Sequence, residues 1–230
     1  MGEYLYVPAP VLCQGTDEDV LLEMGNVICN GLVDRILKEN GLKLRVPGDY
    51  LDPTLLEIAA NEFQVLLGII RAWKSIAGER RDEVRPGVGS GSIHDESGNQ
   101  VVHVGSVISY RASYEEIQQF AAQASVALNK SQSLRNAIWL NGRRDRNAAD
   151  YYMMYEYAVA EFGGGANISS TLDVPVAEIS RFRQSANNLC PTMGGRHAGS
   201  EATPHWRLEL QREFIAALLR KWIFHLANTS

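Results

Sequence analysis

The sequence predicts a mainly α-helical fold, a multi-helix bundle-like domain with a small inserted β-hairpin, and three observations support this. Apolar residues recur at spacings of three and four over most of the chain, as they do along one face of a helix. Helix-capping signals precede several of these stretches. Residues 86–110 break the pattern with glycines and β-branched residues, which predicts the hairpin. We therefore expect a single domain of about six to eight helices over residues 1–230.

The composition is that of an ordinary globular protein with an acidic excess. Of 230 residues, 45% are hydrophobic and 21% are charged, which supplies enough apolar material for a core. The formal net charge is −5 at pH 7, so the chain as a whole lacks the basic character of a general nucleic-acid binder. Contact with RNA or DNA is therefore expected only through a local basic patch.

Cysteine usage and hydropathy bear on location and cofactors. The chain has three widely separated cysteines, Cys13, Cys29 and Cys190, and no C-x-x-C pair, which argues against a disulfide framework or a structural zinc site. No run of about eighteen uncharged apolar residues occurs, and the first residues lack a basic region typical of a secretion signal. We expect a cytoplasmic protein without a membrane span, a metal or another cofactor.

The N-terminal half is expected to contain two long helices. The first begins after Thr16, where acidic residues favour the start of a helix, and ends at the Asn-Gly pair at 40–41. Residues 42–50 are predicted to be an extended connector. The second helix opens at Asp52, which is followed by proline at the first helical position, and ends near Gly78.

The inserted segment is expected to turn at Ser97-Gly98. With that turn, His94 and His103 would lie diagonally on one face of the hairpin, an arrangement that raises the possibility of a metal pair. Two histidines without a third ligand are more typical of polar strand positions, so we predict no metal there. The role of the two histidines stays open.

The C-terminal half is expected to hold several shorter helices. A Ser-x-x-Glu capping box begins one at Ser113, and Ser133 is expected to start the next. Asn147 is predicted to cap a helix over 148–162, and Asp173 to cap the helix that follows. Because residues 148–162 are apolar or aromatic on nearly every side, we expect this helix at the centre of the bundle.

Residues 187–226 combine a Gly-rich loop with a long amphipathic helix. The loop carries Arg196, His197 and His205. Exposed backbone N–H groups of glycines beside a cation suit a phosphate or carboxylate, so these residues are candidate anion- or ligand-binding residues. A loop of this composition is also an ordinary connection between two helices.

The C-terminal helix contains Arg220 and His225 in an R-x4-H spacing, which resembles the signature of HEPN-type ribonucleases. In that family a helical bundle, commonly dimeric, brings Arg and His of both protomers into one cleft, where they assist attack of a ribose 2′-hydroxyl on the adjacent phosphate without a metal. The resemblance implies that Arg220 binds the phosphate and His225 transfers the proton. Lys221 follows the arginine, where the family usually has Asn, Asp or His.

Residues 168–189 resemble a helix-turn-helix motif in the spacing of their apolar residues. The positions that form the core of such motifs hold Leu172, Val174, Ile179 and Phe182. The resemblance implies that the second helix enters a DNA groove and that three residues face it, Arg181, Arg183 and Gln184. Asp173 stands at the turn position that usually holds glycine.

Three functions stay open at this point. We favour a soluble cytoplasmic interaction or assembly protein that acts through residues 187–226 and forms a homo-oligomer, because the long helices carry many large apolar residues. The alternatives are a HEPN-like, metal-independent RNA endonuclease and a helix-turn-helix DNA-binding regulator. The nuclease requires Arg220 and His225 in a shared cleft, whereas the regulator requires Arg181 and Arg183 exposed on a protruding helix.

Overall fold

A computed structural model describes most of the C-terminal half of the chain and parts of the N-terminal half. The described residues are 4–8, 24–28, 35–38, 42–47, 53–79, 91–94, 100–104, 114–143, 145–188 and 206–229. Over these ranges the chain is mainly helical, as the sequence predicted. The helices are α1 (24–28), α2 (Pro53–Glu79), α3 (Tyr114–Lys130), α4 (Gln132–Gly142), α5 (Ala148–Phe162), α6 (Gly165–Leu172), α7 (Val176–Asn188) and α8 (Leu208–Asn228).

Three short strands lie near the N-terminus, and one of them occupies residues that the sequence predicted to be helical. They are β1 (Tyr4–Pro8), β2 (Arg35–Lys38) and β3 (Leu42–Pro47), and β3 pairs antiparallel with both others. The predicted helix from Thr16 to Asn40 is therefore wrong at β2, although residues 24–28 are helical. The Asn-Gly pair at 40–41 lies between β2 and β3. The pair predicts a helix stop, but it is also the strongest short signal for a turn between antiparallel strands.

Two strands also lie in the inserted segment, β4 (Gly91–His94) and β5 (Gln100–Val104). They pair antiparallel, with Ser92 opposite His103 and His94 opposite Gln100 across a register shift. The predicted turn at residues 97–98 and the rest of 95–99 lie outside the described residues. The inserted hairpin as a unit therefore stays a prediction.

The start and end of α5 agree with the capping pattern in the sequence. The Asn147 side chain accepts hydrogen bonds from the N–H groups of Ala149 and Asp150, and the Asp150 carboxylate accepts one from the N–H of Asn147 at 3.0 Å. Gly163 ends the helix in the left-handed conformation with φ 80°. The start of α4 differs slightly from its prediction, because Ser131 rather than Ser133 caps it.

The centre of the bundle is α8, not α5. Helix α8 contacts each helix from α2 to α7, whereas α5 contacts α4, α6, α7 and α8. Residues of α8 fill the core from several sides, among them Ile215, Leu219, Trp222 and Ile223, each with no exposed surface. The interpretation of α5 as the central helix is wrong because one side of α5 faces solvent at Met153 and Glu156.

Helices α2 and α4 approach so closely that two glycines are required between them. A Cβ atom at Gly68 would lie 1.9 Å from the carbonyl oxygen of Ile138, and one at Gly142 would lie 1.9 Å from that of Gln64. Such distances are far shorter than any van der Waals contact. The two backbones can therefore pack at this distance only where a side chain is absent.

Candidate nucleic-acid interface

Helices α6 and α7 are joined by the three residues 173–175, and the first of these makes the turn. Asp173 has φ 51° and ψ 49°, the left-handed conformation. Its N–H and that of Val174 both donate hydrogen bonds to the carbonyl oxygen of Ser169. Aspartate tolerates this conformation better than most residues with a side chain. The prediction that Asp173 caps α7 is therefore wrong, since it ends α6 in the conformation for which a turn glycine is usual.

The apolar residues predicted to form the core of this motif are buried. Leu172, Val174, Ile179 and Phe182 are at most 5% exposed, and Ile168 of α6 joins them with no exposed surface. The Phe182 ring stacks on Phe214 of α8 with centroids 4.7 Å apart, and it also contacts Tyr155 of α5 at 5.7 Å. One side of α7 is thereby held against α5, α6 and α8.

A chain of hydrogen bonds through Ser185 connects the second half of α7 to the segment before α8. The buried Ser185 hydroxyl donates to the carbonyl oxygen of Arg181 at 2.8 Å and accepts from the N–H of Trp206 at 2.8 Å. The carbonyl oxygen of Trp206 in turn accepts from the Gln211 side chain at 2.9 Å. These bonds connect α7 to the segment that begins α8, so α7 is fixed by polar contacts as well as by apolar packing.

The opposite side of α7 is exposed. At 3.6 residues per turn, five exposed residues cover about 140° of the helix circumference, centred opposite the buried side chains. We call this surface the outer face of α7, and it consists of Val176, Ala177, Ser180, Arg181 and Gln184. Sequence reasoning selected Arg181 and Gln184 but missed the other three. A helical projection centred on Ile179 and Phe182 would have found them.

Arg183 is exposed but lies just outside this surface. It points about 90° from the centre of the outer face, on the side nearer Ile179, whereas Arg181 lies about 70° from the centre on the other side. Burial raises the pKa of Tyr155 on α5, and the positive charge of Arg183 nearby partly offsets that rise. The sequence grouped Arg181, Arg183 and Gln184 together, whereas in the folded chain the arginines at 181 and 183 face different surroundings.

Lys221 connects α8 to the turn between α6 and α7. Its Nζ donates a hydrogen bond to the carbonyl oxygen of Asp173. That carbonyl belongs to the residue in the left-handed conformation, where α6 has ended and its last carbonyl groups lack partners within the helix. Lys221 therefore supports the turn that sets the position of α7.

Arg220 and His225 both lie on the unbroken helix α8 and are half-buried. Residues five apart on a straight helix are separated by about 140° around its axis, so the two side chains leave α8 in different directions. The His225 ring contacts Phe162 of α5, with centroids 5.8 Å apart. Within one chain, this arrangement does not bring the R-x4-H pair together, and the ribonuclease hypothesis stays a prediction.

A group of arginines at the end of α4 supports the fold. Arg71 of α2 donates to the carbonyl oxygens of Asn141, Gly142 and Arg143, and Arg146 donates to the Asn141 carbonyl oxygen and to its side-chain oxygen. Burial lowers the pKa of Arg146, and its guanidinium lies 5.9 Å from the centre of the Tyr151 ring. These cations satisfy the last carbonyl groups of α4.

Several predicted site residues cannot be located in this fold. Arg196, His197 and His205 lie outside the described residues, as do Cys13, Cys29 and Cys190. Among the residues that the structure does describe, no group of three or more His, Cys, Asp or Glu side chains is placed to hold a metal ion. No helix in those ranges is long and apolar enough to cross a membrane.

The outer face of α7 thus combines exposure, a rigid support and a mixture of cationic, amide, hydroxyl and small apolar groups. Comparison of the chain with known protein families, curated proteins and solved structures found no match to any of them.

Proposed function

We propose that this protein binds double-stranded DNA through a helix-turn-helix formed by α6 and α7. The observation that carries the proposal is the two-sided character of α7. One side is buried by Ile179 and Phe182, while the outer face is exposed from Val176 to Gln184. The B-DNA major groove is about 12 Å wide and admits one α-helix. A helix held rigidly by its inner side and bare on its outer side has the form that this mode of binding requires.

The geometry of the turn also supports the proposal. Helix-turn-helix motifs need a residue that adopts the left-handed conformation between the two helices, and Asp173 adopts it. The motif usually has glycine at this position and this chain has aspartate, so the residue type differs but the backbone conformation is the same. Lys221 also donates a hydrogen bond to the carbonyl oxygen of Asp173.

The charge on α7 fits a local contact with an anion. Arg181 is the formally charged residue of the outer face, whereas Glu178 points about 130° from the centre of that face. Arg181 would pair with the O6 and N7 atoms of guanine, and Gln184 with the N6 and N7 atoms of adenine. An acidic chain with one basic and amide-bearing face is expected to select DNA by base contacts more than by general attraction to phosphates.

The other two hypotheses have less support from the geometry. An interaction protein acting through the C-terminal helix needs an apolar surface on α8, yet Leu219, Trp222 and Ile223 lie in the core of the same chain and Leu210 is the large apolar side chain of this helix that is exposed. A ribonuclease of this kind needs a second protomer to complete the cleft, because within one chain α8 separates Arg220 and His225 around its axis. DNA binding uses a surface that is exposed among the described residues.

Selection of binding sites from a random pool tests the proposal. The purified protein is incubated with double-stranded DNA that has a randomised centre, and bound molecules are amplified and sequenced over several rounds. We expect one sequence pattern to be enriched. Fluorescence anisotropy then compares wild type and Arg181→Ala on the enriched site, where loss of one bidentate base contact should weaken binding about 5- to 150-fold.

Arg183→Ala is the matched control, because this arginine is exposed on the same helix but lies off the outer face. It should change the affinity less and by the same factor for enriched and unrelated DNA. Failure to enrich any pattern, or equal binding by wild type and Arg181→Ala, would contradict the proposal. Labelled single-stranded RNA is incubated in parallel with EDTA, and cleavage that is lost in His225→Ala would favour the ribonuclease instead.

A further inference from the structure

Val176 is the most exposed large apolar side chain in the part of the chain that the structure describes. It is 64% exposed, compared with 46% for Leu210, 45% for Met153 and 44% for Val126. It is also the first residue of α7 and follows the buried Val174 by two positions. Packing among the described residues therefore explains why Val174 is apolar but gives no reason for an apolar residue at 176.

Helix chemistry does not explain Val176 either. The first turn of a helix favours acidic and hydrogen-bonding side chains, because they interact with the exposed N–H groups and the helix dipole. Valine offers neither interaction, and its branched Cβ slightly disfavours helix formation. Pro175 and Ala177 on either side of it are also exposed, so the start of α7 presents a short apolar surface to solvent.

The position of this surface indicates what it contacts. In a helix-turn-helix, the N-terminal residues of the second helix meet base edges in the major groove. The apolar group that base edges offer in that groove is the C5-methyl of thymine, and small apolar side chains are its partners. We propose that Val176 determines sequence specificity by contacting a thymine C5-methyl group. This inference rests on the proposed DNA-binding function and adds a particular base to it.

The length of α7 places that thymine relative to the bases read by the polar residues. Arg181 lies five residues after Val176, about 7.5 Å further along the helix axis, and Gln184 lies about 12 Å further. Base pairs in B-DNA are spaced by about 3.4 Å, so these distances correspond to about two and about four base pairs. The thymine should therefore lie within about two base pairs of the position whose preference changes in Arg181→Ala.

The test removes the methyl group from the DNA and the valine from the protein, separately and together. Each thymine of the enriched site is replaced in turn by deoxyuridine, which lacks only the C5-methyl. For wild type, we expect one replacement within that distance to weaken binding about three- to five-fold, the effect of losing one buried methyl contact. In Val176→Ala the same replacement should weaken binding by a smaller factor than in wild type, because the two γ-methyl groups of valine that reach the thymine methyl are gone and only the shorter alanine methyl remains.

Val126→Ala provides a matched control, since Val126 is an exposed valine on α3 and should retain the full wild-type response to deoxyuridine. Circular dichroism and thermal unfolding establish that both variants fold, which is expected for exposed positions. An enriched site that contains no thymine in this range, or a deoxyuridine effect of equal size in wild type and Val176→Ala, overturns the inference while leaving DNA binding intact. Failure to enrich any site overturns DNA binding and this inference together.

Discussion

Helix α7 and the C-terminal half of α8 both carry arginines in spacings that suggest a nucleic-acid function, but the fold treats them differently. On α7, Arg181 lies on a surface that the described part of the chain leaves exposed. On α8, Arg220 and His225 flank Trp222 and Ile223, which have no exposed surface. The basic residues therefore lie on an exposed surface in α7 and beside the core in α8. The exposure of the surrounding surface therefore distinguishes the two motifs.

The two regions are also connected. Lys221 is the residue that departs from the HEPN pattern, and its side chain donates to the carbonyl oxygen of Asp173 in the turn before α7. Lys221 therefore weakens the resemblance to HEPN-type ribonucleases and stabilises the turn of the helix-turn-helix-like segment. Substitutions in each helix test the contrast between a structural α8 and an exposed α7, and the largest expected effect is on stability.

Replacing Trp222 by alanine should have the largest effect on stability. The indole is fully buried in α8 and contacts the Phe162 ring at 5.5 Å, so its loss leaves a cavity. We expect the free energy of unfolding to fall by about 3–5 kcal/mol. Urea unfolding followed by circular dichroism measures it. Arg181→Ala, on the exposed side of α7, should change the same quantity by less than about 0.5 kcal/mol.

Trp222→Phe serves as the control for this prediction. Within the described part of the chain, the buried Trp222 Nε1 has no hydrogen-bond partner, so phenylalanine keeps most of the apolar contact without removing a hydrogen bond. It should therefore cost much less than alanine. If Trp222→Ala and Arg181→Ala had similar small effects on unfolding, the view of α8 as the central helix would be contradicted.

Local signals in the sequence predicted the helices well where the deciding contacts are local. Asn147 and Gly163 mark the ends of α5 because a side-chain cap and a left-handed glycine act within a few residues. The buried set from Leu172 to Phe182 was also predicted, since its spacing follows from helical geometry.

Signals that have two structural meanings were less reliable. The Asn-Gly pair at 40–41 is compatible with a helix end and with a strand turn, and only the pairing of β2 with β3 distinguishes the two. Likewise, Asp173 suits both an N-cap and a left-handed turn, and contacts distant in sequence select between them. The central position of α8 depends on which apolar helices surround it, and this information is not contained in the pattern of any one helix.

The candidate site was predicted in part for the same reason. Arg181 and Gln184 were predicted from their charge and polarity. A residue belongs to the outer face only if it is exposed, and the exposure of each residue depends on how α7 packs on α5, α6 and α8. Val176 could not be recognised from its residue type, because an apolar side chain in a helix is usually buried. Its exposure becomes informative only once the packed side of α7 is known.

Lys221→Met should have an intermediate effect. Methionine keeps most of the apolar stem of lysine but removes the charged donor to the Asp173 carbonyl oxygen. We expect the free energy of unfolding to fall by about 1 kcal/mol, as for the loss of one partly exposed hydrogen bond. Because the turn positions α7, affinity for the enriched DNA site should also fall. Glu213→Met, an exposed charge on α8, is the comparison variant and should alter neither quantity appreciably.

The smallest expected effect concerns Asp173 itself. Glycine adopts φ 51° without the steric cost that a side chain incurs, although it also gains freedom in the unfolded chain. We expect Asp173→Gly to raise the free energy of unfolding by about 0.5 kcal/mol, and Asp173→Ala to lower it by about the same amount because alanine keeps the steric cost without the local polar interactions of aspartate. Urea unfolding of the three proteins gives the order Gly, Asp, Ala from most to least stable. The opposite order for Gly and Ala would mean that this residue is not held in the left-handed conformation, and α7 would then lack the turn on which its exposed position depends.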